Sequence, residues 1–293
     1  MHDILHILEH SFIDSLKLIP FLFITYMLME YLEHKSEDVS EKILKRSGQF
    51  GSLIGASLGL LPQCGFSSAA AGLYGARVIS LGTLMAVFLS TSDEMIPILL
   101  SHSIPFVSIL KIILVKFSVA LVVGLLTDLI LRVIYKRISY EPESKIEEFC
   151  EREDCHCHKG IVKPALVHTL KVGAFIFAIT LVLNLIIHLV GEENIASVIL
   201  NKPILANVLA ALVGIIPNCA SSIIISELFV DGILPVGAML SGLLVNSGVA
   251  IAVLFRTNRP RKDSVLITLL LLAISVAVGI FVDLTPLSQW LAI

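Results

Sequence analysis

The chain has 293 residues, 56% of them hydrophobic and 15% charged, with a formal net charge of −3. A soluble domain is about 45–50% apolar and about 25% charged, so this excess of apolar residues, with a mean hydropathy of +0.92, asks for lipid as its solvent. The acidic balance offers no basic footprint for nucleic acid, and the five cysteines, three of them in one polar stretch, do not make a secreted disulfide framework.

Met1–His10 carries His and Asp where a cleaved signal peptide would carry Lys or Arg, so no leader is expected there. His2, His6 and His10 share one helix face with Glu9 and Asp14 close by, which suits an interfacial amphipathic helix or an external metal collector. The first long apolar stretch, 12–32, ends in Glu30, Glu33 and His34. That spacing puts the three on one helix face, either as a carboxylate–histidine metal set or as a helix end meeting water.

Two short apolar pieces, 49–61 and 65–76, flank Pro62. The 80–100 stretch follows, interrupted by Thr91-Ser92-Asp93-Glu94, and 106–135 closes the first half. A charged linker, 137–163, precedes a long stretch at 165–190, a second short pair at 204–216 and 219–230 around Pro217, and long stretches at 233–255 and 264–284. The six long stretches can each cross about 30 Å of hydrocarbon at about 1.5 Å per residue.

The second half repeats the first. Gly59-Leu60-Leu61-Pro62-Gln63-Cys64 matches Gly214-Ile215-Ile216-Pro217-Asn218-Cys219, and the same offset pairs Gly82 with Gly237, Ser92 with Ser247, Gly124 with Gly279 and Asp128 with Asp283. Each half then holds five apolar elements, an odd number of crossings whether the short pair spans or re-enters, so the halves are inverted. The expected architecture is all-α and polytopic, with about ten transmembrane elements in two inverted five-element repeats and interrupted helices. The expected divisions are 1–136, a linker at 137–163, and 164–293. Lys and Arg crowd one side, from Lys35 and Arg77 to Arg256 and Lys262, so the linker should be cytoplasmic and both termini outside.

The mirrored motifs place a proline break before an amide, a thiol and hydroxyls. Broken backbone at membrane depth is tolerated only beside protein or a wet cavity, so two such breaks are expected to meet as a substrate site. Its candidates are Gln63, Cys64, Ser67, Asn218, Cys219 and Ser222, joined by Asp93, Glu94 and Asn246. Adjacent carboxylates within a span are costly and usually functional, as cation ligands or proton carriers. Asp128 and Asp283 are expected to cap or pair, with an ionic role open. The linker holds Cys150, Cys155, His156, Cys157 and His158 among acids, a flexible chelating composition without a CxxC pair.

Pro20 through His34, the two Pro-(Gln/Asn)-Cys motifs, Thr91–Glu94 and the Cys/His linker together resemble a family of ten-span heavy-metal exporters, labelled arsenic efflux proteins or manganese transporters. The resemblance covers nearly the whole chain and implies efflux of a metal ion or metalloid across the cell membrane. Thiols suit arsenite, antimonite or a soft metal, and carboxylates suit Mn²⁺; both are present. No GxxxxGK[ST] occurs, so an ion gradient is the expected driver, with no cofactor beyond the metal as substrate. Membrane lipid is the expected partner, and a homo-oligomer stays open. A small organic anion is the alternative cargo. An intramembrane enzyme is disfavoured because no HExxH occurs and no histidine adjoins either apolar cysteine in sequence.

Overall fold

The computed structural model describes residues 50–60, 64–91, 95–138, 203–218, 220–259 and 261–291, with scattered helical positions within 19–27 and 162–182. Among the described residues every regular element is a helix. The first half contributes α1 (Phe50–Gly59), α2 (Cys64–Gly75), α3 (Leu81–Ser90), α4 (Met95–Ser101) and α5 (Phe106–Ile138). The second contributes α6 (Pro203–Gly214), α7 (Ala220–Val230), α8 (Val236–Val245), α9 (Ala250–Thr257), α10 (Arg261–Leu284) and a short α11 (Leu287–Leu291).

Among the described residues, three stretches are long and apolar enough to cross a membrane: Phe106–Val133, Val236–Thr257 and Arg261–Leu284. Two of them sit on the outside. Leu110, Leu114, Val122, Leu125, Leu129 and Val133 expose one stripe of α5, and Leu266, Leu269, Phe281 and Leu284 do the same on α10. A soluble protein rarely leaves so continuous an apolar face open; lipid covers it at no cost. By contrast Leu84 to Leu89 of α3 and Ala238 to Val245 of α8 are buried all round. These two helices form the core, with α5 packed along α3, and α6 and α10 along α8.

Each core helix begins at an aspartate from its outer neighbour. The Asp128 carboxylate accepts from the Gly82 N–H at 3.0 Å, Ser80 Oγ at 3.0 Å and Ser52 Oγ at 2.9 Å. One repeat later, Asp283 accepts from the Gly237 N–H at 2.8 Å and Asn207 Nδ2 at 2.8 Å. An anion here satisfies orphan N–H groups at a helix start and meets the positive end of its dipole. Ser80 adds a side-chain cap, accepting from the Thr83 N–H at 3.1 Å. Of the roles open to the two aspartates in sequence, capping is the one their geometry fits. Glycine is required at both helix starts: a Cβ on Gly82 would meet Gly124 O and the Asp128 carboxylate, and one on Gly237 would meet Gly279 O and Asp283.

The 80–100 stretch leaves the helix at Thr91, where its polar interruption was expected. The 233–255 stretch, which reads as continuous in sequence, is also broken. Asn246 and Ser247 leave the helix, Gly248 takes φ +57°, and α9 restarts at Ala250. The physical reason is local: the Asn246 side chain accepts from the Gly248 N–H at 2.7 Å, offering the backbone a turn in place of a helical bond.

Candidate functional site

Both core helices end inside the protein. Thr91 is the C-cap of α3, its N–H bonded to Val87 O, and Asn246 is the C-cap of α8, its N–H bonded to Gly242 O. The last carbonyls of a helix lack intrahelical partners, so two sets of buried acceptors are freed near the middle of the fold. Elements from both halves close around them: α2 packs on α9, α7 on α4, and α8 touches α3.

The break after α8 is the better defined. Asn246 is buried and donates from Nδ2 to Ser221 Oγ at 3.0 Å; Ser221 in turn donates to Asn218 O at 2.7 Å. Ser67, on α2 of the other half, donates to Ser247 O at 3.3 Å. Three of the residues expected in a substrate site, Ser67, Asn218 and Asn246, are therefore tied to one broken segment. Ser222 is buried one position beyond Ser221 on α7. Cys64 is the first residue of α2. The remaining candidates, Gln63, Asp93, Glu94 and Cys219, lie outside the described residues, as do Glu30, Glu33, His34 and the linker ligands Cys150, Cys155, His156, Cys157 and His158. Among the described residues no group of three or more His, Cys, Asp or Glu side chains is positioned to hold a metal.

Sequence reasoning missed several polar groups at this depth. The hydroxyls of Ser68, Ser226 and Ser247 are buried with no hydrogen-bond partner among the described residues. A buried hydroxyl with no partner costs about 1–3 kcal/mol, which a polar ligand or water would relieve. Lys116, a third of the way along α5, is 0% exposed, and its ammonium donates to Thr91 O and to Leu243 O, the latter at 2.9 Å. In sequence it is one of two lysines, with Lys111, inside the apolar stretch 106–135.

Among the described residues, two acid–base pairs join the halves away from this centre. At one end, Arg77 pairs with Asp263 at 2.9 Å and lies over the Tyr74 ring, while Tyr74 and Asn258 donate to the same carboxylate at 3.1 and 3.2 Å. Arg77 adopts φ +59°, a conformation that its repeat counterpart Gly232, at φ +72°, takes without strain. At the other tie, His102, at the end of α4, faces Glu227 on α7 at 3.5 Å.

A family model described as "Putative, 10TM heavy-metal exporter" matches residues 2–147 and, a second time, residues 133–281. No curated protein and no solved structure matches the chain.

Proposed function

The chain belongs to this family of 10TM heavy-metal exporters, and from that premise we propose that it is a secondary active transporter, exporting a heavy-metal ion or metalloid by alternating access between two inverted halves. The observation that carries the reading is the pair of core helices, α3 and α8, both broken at a shared polar centre in an apolar fold. Intramembrane polar groups mark substrate and ion pathways.

The two ties support the inversion. α3 starts four residues after Arg77, at the Asp263 tie, whereas α8 follows α7, whose Glu227 faces His102. Repeat-related helices thus enter the centre from the two different ties. Arg77, Arg256, Arg259, Arg261 and Lys262 lie at or close in sequence to the first tie, which supports reading that end as cytoplasmic, with the basic-flanked linker assigned to the same side. On this reading both termini lie outside, the protein is a multi-pass cell-membrane protein, and Cys150, Cys155, His156, Cys157 and His158 concentrate metal before export.

Within the centre, Asn218, Ser221, Asn246 and Ser67 would line the path, with Asp93 and Glu94 supplying charge for a divalent cation such as Mn²⁺. Cys64 and Cys219 would supply thiolates for arsenite. The buried Lys116 favours one second reading, a small organic anion, because its ammonium repels a free divalent cation unless carboxylates outweigh it. The test is intracellular Mn, Zn, Cd and As by mass spectrometry after challenge of a metal-sensitive bacterium expressing the chain. The expected result is a fall in one element, abolished by Asp93→Asn for a cation or by Cys64→Ala and Cys219→Ala for a metalloid. Unchanged content of all four would remove metal as the cargo.

A further inference from the structure

We propose that Lys116 is a tethered cation: its ammonium fills a cradle of backbone carbonyls where the two broken core helices meet, and that cradle has the chemistry of a site for a small monovalent cation, best matched by a primary ammonium. The inference goes beyond the cargo reading and does not depend on it.

The cradle follows from the breaks. Thr91 O sits at the C-cap of α3, and Leu243 O lies in the last turn of α8. In unbroken helices these carbonyls would accept from residues four positions on; the breaks release them for another donor. Each also lies at the negative end of its helix dipole, and two such ends converging on one point favour a positive charge. Lys116 Nζ reaches both. One carbonyl belongs to each half, so the ammonium bridges the repeats at their centre.

Packing alone does not account for a lysine here. The repeat counterpart of Lys116 is Leu271, equally buried at 0% exposure, so the position is filled well by an apolar side chain in the other half. Nor does Lys116 turn to the surface, as Lys111 does on the same helix, whose ammonium makes an exposed bond to Trp290 O at 2.9 Å and lies over the Trp290 ring. A charge held at this depth is expensive and is retained where it serves a site. Lys116 is thus a positioning residue: it holds the two broken ends in one arrangement through Thr91 O and Leu243 O.

The test is chemical rescue in the full-length purified protein. Lys116→Ala keeps Cβ and removes the propylammonium portion of the side chain. Its melting temperature should fall, n-propylammonium should raise it again, and methylammonium and n-pentylammonium should do so less well. Wild-type protein and Lys116→Met, whose cavity is filled, should not respond, nor should tetramethylammonium, which has no N–H to donate. Lys116→Met should itself melt below wild type, because two freed carbonyls lose their donor. In reconstituted vesicles, transport by Lys116→Ala should drop by about tenfold or more, the loss expected for one hydrogen-bonded buried charge, and recover with n-propylammonium. Melting of Lys116→Ala that ignores every alkylammonium, an equal response in wild type, or Lys116→Met melting at the wild-type temperature would each overturn the assignment. The melting curves use no cargo, so they test the cradle even if the cargo proves to be something else.

Discussion

One methyl group on Gly82 should separate the first core helix from its outer neighbour. A Cβ there meets Gly124 O and the Asp128 carboxylate, both well inside van der Waals contact. Two escapes exist. The helices can part by about 1 Å, an overpacking cost of about 1–3 kcal/mol in a close-packed interior. Alternatively the carboxylate can swing away, leaving the Gly82 N–H without its acceptor at about 1–3 kcal/mol. Alanine returns up to about 1 kcal/mol through its better helix propensity, so Gly82→Ala should cost about 1–2 kcal/mol net. Gly237→Ala should cost the same, because its Cβ meets Gly279 O and Asp283 in the same way. Gly173→Ala is the control, where the nearest group among the described residues is Ile19 at 3.8 Å, and should be neutral or slightly stabilising. Thermal melts of the three purified variants decide it. Gly82→Ala or Gly237→Ala melting as high as Gly173→Ala would refute the tight contact, and a large cost in one half alone would refute their equivalence.

The Arg77–Asp263 pair is about three-quarters buried on both sides, with side-chain exposures of 27% and 27%, so a double-mutant cycle of Arg77→Gln and Asp263→Asn should return a coupling of about 1 kcal/mol; additive losses would mean the pair contributes nothing. Arg77→Gly relieves the strained φ while deleting the ion pair, so its melting temperature should lie above that of Arg77→Ala; the reverse order would show that no strain is stored there. Replacing Cys150, Cys155 and Cys157 together by Ser should abolish tight Cd²⁺ binding to the full-length chain, measured by equilibrium dialysis, while leaving the melting curve unchanged. Retained binding would assign the metal affinity to another part of the protein.

Much of this arrangement was legible in the sequence because it is written twice. A single offset pairing Gly82 with Gly237 and Asp128 with Asp283 marked the positions that form the two aspartate-capped helix starts. Their partners differ in type, with Ser52 and Ser80 in one half and Asn207 in the other, so the hydrogen bonds themselves could not be read from spacing. The break at Asn246 escaped because an Asn-Ser-Gly run can sit within an apolar helix; what ends the helix is the asparagine bonding its own backbone. Lys116 escaped for a geometric reason. Residues five apart lie on different helix faces, so Lys111 can reach outward to Trp290 while Lys116 points into the core, and a hydropathy count treats them alike.

The central claim, that the polar centre of this fold is a path for cargo, is tested most directly in everted membrane vesicles. Accumulation of Mn²⁺, Cd²⁺ and arsenite should be followed in energised vesicles carrying the wild-type chain, Asn246→Ala or no insert. Asn246 is the side chain that ties the broken segment to α7, and its removal leaves Ser221 without that donor. The account predicts that one of the three cargoes accumulates with the wild-type chain, that dissipating the ion gradient stops it, and that Asn246→Ala lowers it by about tenfold. Wild-type vesicles indistinguishable from empty ones for all three, or Asn246→Ala vesicles as active as wild type, would contradict it.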